Sequence, residues 1–286
     1  MRLATFTDAR GTRAGVVVDD AGRPAIADVA ALRPDWSTAL REWLPRLPGW
    51  REELAAVAAA APRLALTDVV LQPPIPDPRH FYAVGLNYAD HAREMGVPLP
   101  KQPRVFVKLP GTVQRPHGPI VHPGHSDTLD YEGELAFVVG RRCRDVPASH
   151  AREFIAGYLV VNDLSLREFV NPDTLVVAKG CDTFAPQGPW LTTADEIADA
   201  RALRIRTWVD GELRQDGSTR ELVYGPEELL AWCSRGITLE PGDVVTTGSP
   251  PGSGHGYSPP RYLRPGQRVR VEIDGLGAIE NEVTAR

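Results

Sequence analysis

Two glutamates, Glu132 and Glu134, lie two residues apart in the segment LDYEGELAFVVG, which has the apolar character of a buried strand. Residues two apart in a strand point to the same face, with their backbones roughly 6–7 Å apart. Two carboxylates held this close in a buried site repel each other and favour the uptake of a cation. The alternative is a solvated strand face, against which the apolar continuation AFVVG argues.

A third acid, Asp163, follows the apolar run GYLVVND, and Lys179 is predicted to end a further strand, TLVVAKG. Three carboxylates without a Cys or His partner favour a hard ion, so the pattern predicts Mg²⁺ or Mn²⁺, with Ca²⁺ as a further candidate. Lys179 could then stabilise an enolate or carboxylate oxygen. The alternatives are a turn-forming aspartate and an ordinary surface lysine.

His91 and Glu94 are three residues apart in GLNYADHAREMG, a short segment with helical character that Gly96 can end. Glu94 is therefore expected to orient His91, and a histidine held in this way can take a proton from water near neutral pH. The alternative is a simple surface contact between the two side chains.

Other chemical groups are less specific. The glycine-rich segment 247–256, TGSPPGSGHG, lacks a nucleotide-binding pattern and is either a loop that lines a substrate pocket or a turn. The histidines at 117, 122 and 125 fall in an irregular Pro/Gly loop, so a zinc site is not predicted there. Cys181 has no neighbouring base, and no G-x-S-x-G motif is present, so covalent catalysis is not predicted.

Composition narrows the class of protein. The 286 residues carry a net charge of -5 without any run of Lys or Arg, which argues against nucleic-acid and membrane partners. No signal peptide or membrane-spanning apolar stretch is visible, and the three cysteines form no paired motif. We therefore expect a cytoplasmic protein that acts on a small molecule.

The elements that position these residues are mostly strands. Residues 3–7 and 15–19 predict a hairpin, and weak helical patterns at 26–32 and 36–61 predict a small helical cap. The proline-rich segment QPPIPDPRH predicts an extended connector, so we expect an N-terminal domain over 1–71 and a larger domain over 72–286. That larger domain is expected to be a β-rich sandwich or roll, whose predicted strands are VFVKL, ELAFVVG, GYLVVND, TLVVAKG, LRIRTWVDG, DVVTTG and VRVEIDG.

Several motifs in one order carry a resemblance to a known family. GLNYxxHxxE is followed by VFVK, DYExEL, NDxSxR, KxxDTFxPxGPW, LEPGDVVTTGSPPG and YLRPGQRVRVEIDGLG. Over roughly residues 72–284 the chain resembles the fumarylacetoacetate hydrolase family, and in particular its short bacterial acylpyruvate hydrolases and 2-oxo-enoate hydratase-isomerases. The resemblance implies an α+β, β-rich fold, with a mixed β-sandwich roll, a small N-terminal α/β domain and a homodimeric assembly.

By position, the resemblance implies that Glu132, Glu134 and Asp163 bind the metal, while His91 and Glu94 form a catalytic dyad with Lys179 near the substrate. It also implies substrate contacts from Arg167 and from the loop residues Thr247, Gly248 and Ser249. The chain departs from the family pattern at Val170, where Gln is common, and at residues 248–250, where GTP is common. Loss of the Gln amide suggests a less polar substrate.

The reaction expected from these residues is metal-dependent hydrolysis of a C–C bond in a small 2-oxo or 1,3-dicarbonyl carboxylate, such as an acylpyruvate. Hydration, tautomerisation or isomerisation, and decarboxylation of a related oxo acid use the same site and stay open. A non-catalytic ligand-binding protein is a further alternative.

Overall fold

The fold is built almost entirely from strands. A computed structural model describes residues 1–286 and contains nineteen strands and six short α-helices. The strands are β1 (Arg2–Asp8), β2 (Gly11–Asp20), β3 (Arg23–Ala27), β4 (Arg63–Ala65), β5 (Val70–Gln72), β6 (Phe81–Gly85), β7 (Arg104–Val107), β8 (Val113–Gln114), β9 (Ile120–Val121), β10 (Leu129–Asp130), β11 (Gly133–Val139), β12 (Ile155–Asn162), β13 (Ser165–Leu166), β14 (Ala185–Thr193), β15 (Arg204–Val209), β16 (Glu212–Ser218), β17 (Val244–Thr246), β18 (Arg268–Ile273) and β19 (Gly277–Thr284). The helices are α1 (Leu40–Trp43), α2 (Leu47–Ala60), α3 (Ala89–Glu94), α4 (Ala148–Ala151), α5 (Leu175–Lys179) and α6 (Pro226–Cys233).

The strands form one large mixed sheet and two smaller sheets. The large sheet of twelve strands follows the order β4-β3-β2-β1-β14-β12-β11-β17-β6-β7, with β5 paired to β1 and β8 paired to β14. A sheet of five strands has the order β16-β15-β18-β19-β9, and β10 pairs with β13. Most pairs are antiparallel, whereas β17 pairs with β6, β14 with β8 and β19 with β9 in parallel. The predicted β-rich α+β class is confirmed.

The central strands of the large sheet are buried on both faces, which explains their continuous apolar sequence. In β11, Leu135 and Phe137 join a core shared with the sheet of five strands, while Ala136 and Val138 join a second core on the opposite face. Because side chains alternate between the faces of a strand, one apolar run serves both cores.

The N-terminal region covers that second core. Trp36, Trp43 of α1 and Trp50 of α2 pack edge to face, with ring centroids 4.2–6.3 Å apart. The helical prediction for 36–61 is thus confirmed, and Pro48 lies in the first turn of α2, where proline is tolerated.

Two other element predictions need correction. Residues 26–32 were expected to be helical, but Ile26 lies in β3 opposite Val17, and only a short 3₁₀ turn, Val29–Ala31, follows. The segment TLVVAKG was expected to be a strand but forms α5, in which Val176 and Val177 are exposed. A short apolar run does not distinguish a strand from a helix, and exposure of these valines removes the reason for a buried strand. The other six predicted strands are present.

Residues 73–80 form the connector between β5 and β6 without a helix or strand. The large sheet continues across this connector, because β1 pairs with β14 and β5 pairs with β1. The division into an N-terminal domain over 1–71 and a larger domain over 72–286 stays a proposal, and both regions contribute strands to the large sheet. None of the helices has the length and apolar character that crossing a membrane requires.

Candidate active site

Three buried carboxylates converge at one end of the large sheet. Glu132 immediately precedes β11, Glu134 lies within it, and Asp163 follows the end of β12. One oxygen from each residue lies within 4.8 Å of the others. The backbone N–H of Asp163 donates to the Glu132 carbonyl at 2.8 Å, which fixes the two strand ends together. The structure therefore brings together the acidic group that the spacing predicted, and we call it the acidic triad.

Gly133 explains why the two glutamates point away from the sheet of five strands. A Cβ atom at this position would lie 2.5 Å from Thr207 Oγ1 and 2.8 Å from Val271 Cγ1. No side chain fits there, so the face of β11 that carries residue 133 packs directly against the sheet of five strands. Glu132 and Glu134 lie on the opposite face, and their carboxylates point towards the cavity.

Two lysines contact the triad. Lys179 ends α5, and its Nζ donates to Glu132 and, at 2.8 Å, to Asp163 Oδ2. The Nζ of Lys108 is fully buried and lies 2.6 Å from Asp163 Oδ1, while it donates to the Lys179 carbonyl at 2.7 Å. The carboxylate of Asp163 is therefore held between two ammonium groups.

Arg167 joins the triad to a fourth buried acid, Asp130. Its Nε donates to Asp130 Oδ2 and its Nη2 to Glu132 Oε1, both at 2.7 Å. Asp130 also accepts from the backbone N–H groups of Gly254 and His255, at 2.7 and 3.0 Å. Although Arg167 lines the cavity, as its predicted substrate contact requires, its guanidinium is already committed to two carboxylates.

The charges around the triad do not balance. Four carboxylates, of Glu132, Glu134, Asp163 and Asp130, face three cations, of Lys108, Lys179 and Arg167. Glu134 is the carboxylate without an ion-pair partner, and its Oε2 accepts the N–H of Gly248 at 3.0 Å. The donor set therefore suits an added cation next to Glu134.

The pKa values follow this arrangement. Burial, together with the charges of Asp163 and Glu132, raises the pKa of Glu134 well above its ordinary value. Burial also acts to raise the pKa of Glu132, but Arg167 and Lys179 outweigh it and hold that pKa far below its usual range. Burial lowers the pKa of Lys108, whereas for Lys179 the attraction of Asp163 and Glu132 outweighs burial and raises the pKa.

The predicted histidine–glutamate pair forms on α3. His91 Nδ1 lies 2.8 Å from Glu94 Oε2, and the His91 ring lines the same cavity as the triad. Glu94 Oε1 accepts the N–H of Gly252 at 3.1 Å, which ties α3 to the loop after β17. A Cβ atom on Gly256 would lie 2.9 Å from Glu94 Oε1, so this loop approaches the carboxylate closely because residue 256 is a glycine.

The loop residues predicted to contact substrate have different positions. Ser249 lines the cavity, and its Oγ accepts from Gln215 Nε2 at 2.8 Å. Thr247 is buried, and its hydroxyl donates a hydrogen bond to the Leu135 carbonyl at 3.0 Å. The N–H of Gly248 donates to Glu134. Thr247 and Gly248 do not line the cavity; their contacts position β11 and the triad.

The cavity in front of the triad has a volume of ≈ 570 Å³. Its polar end is formed by the triad, His91, Arg167 and Lys179. The remainder is largely apolar and includes Val84, Leu86, Met95, Phe106, Val170 and Leu175. Small ligand sites commonly combine such an apolar wall with a few convergent polar groups.

Three residues of this site were missed from the sequence. Lys108 and Asp130 both lie in the quoted motifs, VFVK and LDYEGEL, and Asp130 is two residues before Glu132. Gln215 lies in no quoted motif, yet its Oε1 accepts the N–H of Gly133 at 2.9 Å while its Nε2 contacts Ser249. Lys108 and Asp130 could have been predicted because they lie in these motifs. No sequence pattern indicated Gln215.

Comparison with known proteins gives one family and close relatives. The family model described as fumarylacetoacetate (FAA) hydrolase C-terminal matches residues 80–284. The mitochondrial oxaloacetate tautomerase fahd2 of Xenopus laevis is 38% identical over 289 residues, covering 99% of this chain and 90% of the relative.

Solved structures agree over the whole length. The fumarylacetoacetate hydrolase of Exiguobacterium antarcticum is 36% identical with a TM-score of 0.87, and the match covers 100% of both chains. The maleylpyruvate hydrolase of Sphingobium sp. SYK-6, in complex with manganese(II) and pyruvate, is 32% identical with a TM-score of 0.83, covering 100% of this chain and 99% of that one.

Proposed function

Because the chain belongs to the fumarylacetoacetate hydrolase family, as its motifs predicted, we propose that it is a divalent-metal-dependent C–C bond hydrolase. Its substrate in this proposal is a small 2-oxo or 1,3-dicarbonyl carboxylate of the acylpyruvate type. The observation that carries the proposal is the placement of the His91–Glu94 pair and the acidic triad on walls of one cavity.

The residues suited to holding the metal are Glu132, Glu134 and Asp163. They offer only oxygen ligands, which favours Mg²⁺ or Mn²⁺, and Glu134 lacks any other cationic partner. A related maleylpyruvate hydrolase was solved with manganese(II) and pyruvate. When bound, such an ion supplies a Lewis acid that polarises the substrate carbonyl.

His91 acts as the base in this proposal. Glu94 accepts a hydrogen bond from the N–H at Nδ1 of His91. The unprotonated Nε2 is then free to take a proton from a water in the cavity. The resulting hydroxide attacks the acyl carbonyl carbon, and the C–C bond to the pyruvate part breaks. The electron pair of that bond leaves with the pyruvate part as an enolate, which then takes a proton, and the acyl part leaves as a carboxylic acid.

Lys179 is placed so that its positive charge stabilises the negative charge that develops on the substrate oxygen. Its ammonium is buried at the polar end of the cavity, where the attraction between opposite charges is strong. Asp163 and Glu132 hold the ammonium in one position, so little reorganisation is needed during the reaction.

A second candidate reaction is keto–enol tautomerisation of an oxaloacetate-like acid. The specific observation that favours it is the relative named oxaloacetate tautomerase, which matches 99% of this chain. The same His91 would move a proton between carbon and oxygen without adding water. The products separate the two reactions, since tautomerisation leaves the carbon chain intact.

The experiment compares metal-stripped protein with protein reloaded with Mn²⁺ or Mg²⁺. Acetylpyruvate and a longer acylpyruvate are supplied, and products are identified by mass, while enol and keto oxaloacetate are followed by ultraviolet absorbance. Metal-dependent release of pyruvate and the matching acid supports hydrolysis. Tautomerisation without cleavage supports the second reaction.

Glu134→Gln is the test variant for the metal site, and Glu168→Gln is its matched control, because Glu168 is an exposed acid outside the cavity. Loss of turnover in the first variant alone is expected. Metal binding without turnover of any oxo acid would contradict both reactions and favour a ligand-binding protein.

A further inference from the structure

Arg104 is the cation of the cavity wall that has no partner in the structure. It lies at the start of β7 and lines the cavity. The other cations of the wall are engaged, since Lys179 contacts Glu132 and Asp163, and Arg167 contacts Asp130 and Glu132. The only acids that line the cavity are those of the triad, and their ion pairs are with Lys108, Arg167 and Lys179 rather than with Arg104.

Alternation along β7 directs Arg104 towards the same site as two other residues. Arg104, Phe106 and Lys108 are spaced by two, so their side chains leave the same side of the chain. Lys108 contacts Asp163 at the buried end, and the Phe106 ring centroid lies 5.6 Å from Lys179 Nζ. Exposure increases along this face from Lys108 through Phe106 to Arg104, so Arg104 lies at the mouth.

The spacing defines where an anion would bind. Arg104 is two residues beyond Phe106, which corresponds to about 7 Å along a strand. The cavity wall also includes Val170, Pro172 and Leu175, with Asn171, Ser249 and His255 as further polar groups. Among the arginines and lysines of the wall, Arg104 is the one without an ion-pair partner, so it is available to the far end of a substrate whose oxo-carboxylate end lies at the triad.

We propose that Arg104 binds a second carboxylate at the far end of the substrate, so that the enzyme prefers dicarboxylic 2-oxo acids to monocarboxylic ones. The inference rests on the proposed function only for the orientation of the oxo-carboxylate end. A planar guanidinium with free N–H groups matches a carboxylate in a two-point contact. The competing explanation is that Arg104 merely protects an edge strand from pairing, which requires no selectivity.

The test measures binding and needs no turnover. Mn²⁺-loaded protein is titrated calorimetrically with 2-oxoadipate and with 2-oxohexanoate, which replaces the far carboxylate by a methyl group. Wild-type protein is expected to bind 2-oxoadipate about tenfold more tightly, as for a charge-assisted contact at the mouth of a site. Arg104→Gln should remove this preference and leave 2-oxohexanoate binding unchanged, while Arg104→Lys should keep part of it.

Lys101→Gln is the matched control, because Lys101 is an exposed cation three residues earlier that does not line this cavity. Equal affinity of wild-type protein for both acids, or the same loss in the control, would overturn the inference, as would failure of both acids to bind. If the preference is found but no oxo acid is turned over, the proposed reaction fails and the Arg104 assignment stands.

Discussion

Lys108 shows how the candidate site depends on a residue that does not line its cavity. Its side chain is fully buried, and its ammonium contacts both the carboxylate of Asp163 and the backbone of Lys179. A buried ammonium is tolerated only when it is paired and hydrogen-bonded. Lys108 therefore holds Asp163, which follows β12, at a fixed distance from Lys179 at the end of α5.

Replacing Lys108 by Met is expected to lower the free energy of unfolding by about 3–5 kcal/mol, because it leaves a buried charge on Asp163 with one partner fewer. Chemical denaturation of metal-free protein measures the loss. Lys101→Met, at an exposed position, should stay within about 0.5 kcal/mol of wild type. Adding Asp163→Asn to Lys108→Met should recover part of the loss, and strict additivity of the two changes would contradict the pairing.

Replacing Glu94 by Gln is expected to reduce kcat by about 100-fold with little change in metal affinity. A Gln amide would donate to His91 Nδ1, which places the ring proton on Nε2 and removes the base from the cavity side. Steady-state kinetics and Mn²⁺ titration measure the two quantities. Glu221→Gln, an exposed acid that contacts Arg93, is the control, and an unchanged kcat in Glu94→Gln would contradict the role of Glu94 in fixing the His91 tautomer.

The acidic triad was predictable because its residues are identified by local patterns. Glu132 and Glu134 differ by one strand period, and Asp163 ends an apolar run. The contacts of Lys108 with Asp163 and of Gln215 with Gly133 join residues 55 and 82 positions apart. They depend on which strands become neighbours, and no local pattern carries that information.

Among the elements, the N-terminal hairpin is stabilised by a buried ion-pair network. The two Asp8 oxygens accept from Arg13 Nη1 and Nη2, each at 2.7 Å, and Arg13 also donates to the buried Asp28. These hydrogen bonds from Arg13 hold the pKa of Asp8 well below its usual value. The network therefore links β1 and β2 to the turn that follows β3.

This shift predicts a pH-dependent contribution to stability. A carboxylate with a lowered folded pKa stabilises the protein above its unfolded pKa of about 3.9, and this contribution is lost as the pH falls through the folded pKa. The difference in unfolding free energy between wild type and Asp8→Asn should thus be constant near neutral pH and decline below about pH 4. Urea denaturation across pH measures it, and a difference that does not change down to pH 3 would contradict the assigned pairing.

Elements were predictable where pattern and environment agree. The strands β11 and β12 are mostly apolar because both of their faces are buried, and their sequences predicted them correctly. The apolar run of α5 resembles theirs, but it lies at the cavity rim with its valines exposed, and its strand prediction was wrong. The run is too short for periodicity to separate the two structures.

At the scale of the whole molecule, the triad joins segments that are distant in sequence, so metal binding should stabilise the entire fold. Mn²⁺ at about 100 times its dissociation constant contributes about 2.7 kcal/mol, or about 4–5 °C in Tm for a chain of this size. Scanning calorimetry with and without chelator measures the shift. Glu134→Ala should lose the shift, and a shift that persists in this variant would place the ion elsewhere.

The expected homodimer also stays a prediction at this scale. The edge strand β7 and the adjoining segment expose Val107 and Leu109, and α5 exposes Val176 and Val177, at 44–55% of their full areas. Burial of such side chains favours association of two copies. Sedimentation should give twice the 31.2 kDa of one chain, with dissociation in Val177→Lys. A mass of one chain at all concentrations would contradict the dimer.

The pairing of β1 with β14 gives the N-terminal region a role apart from its own core. Leu3 and Arg2 occupy the edge of β14 at Leu191 and Thr192, next to the strands that carry the triad. A truncated chain that began at residue 72 would expose this edge as an open row of N–H and C=O groups. Such edges pair with strands from other molecules. By covering this edge, the N-terminal strand β1 protects the large sheet from aggregation.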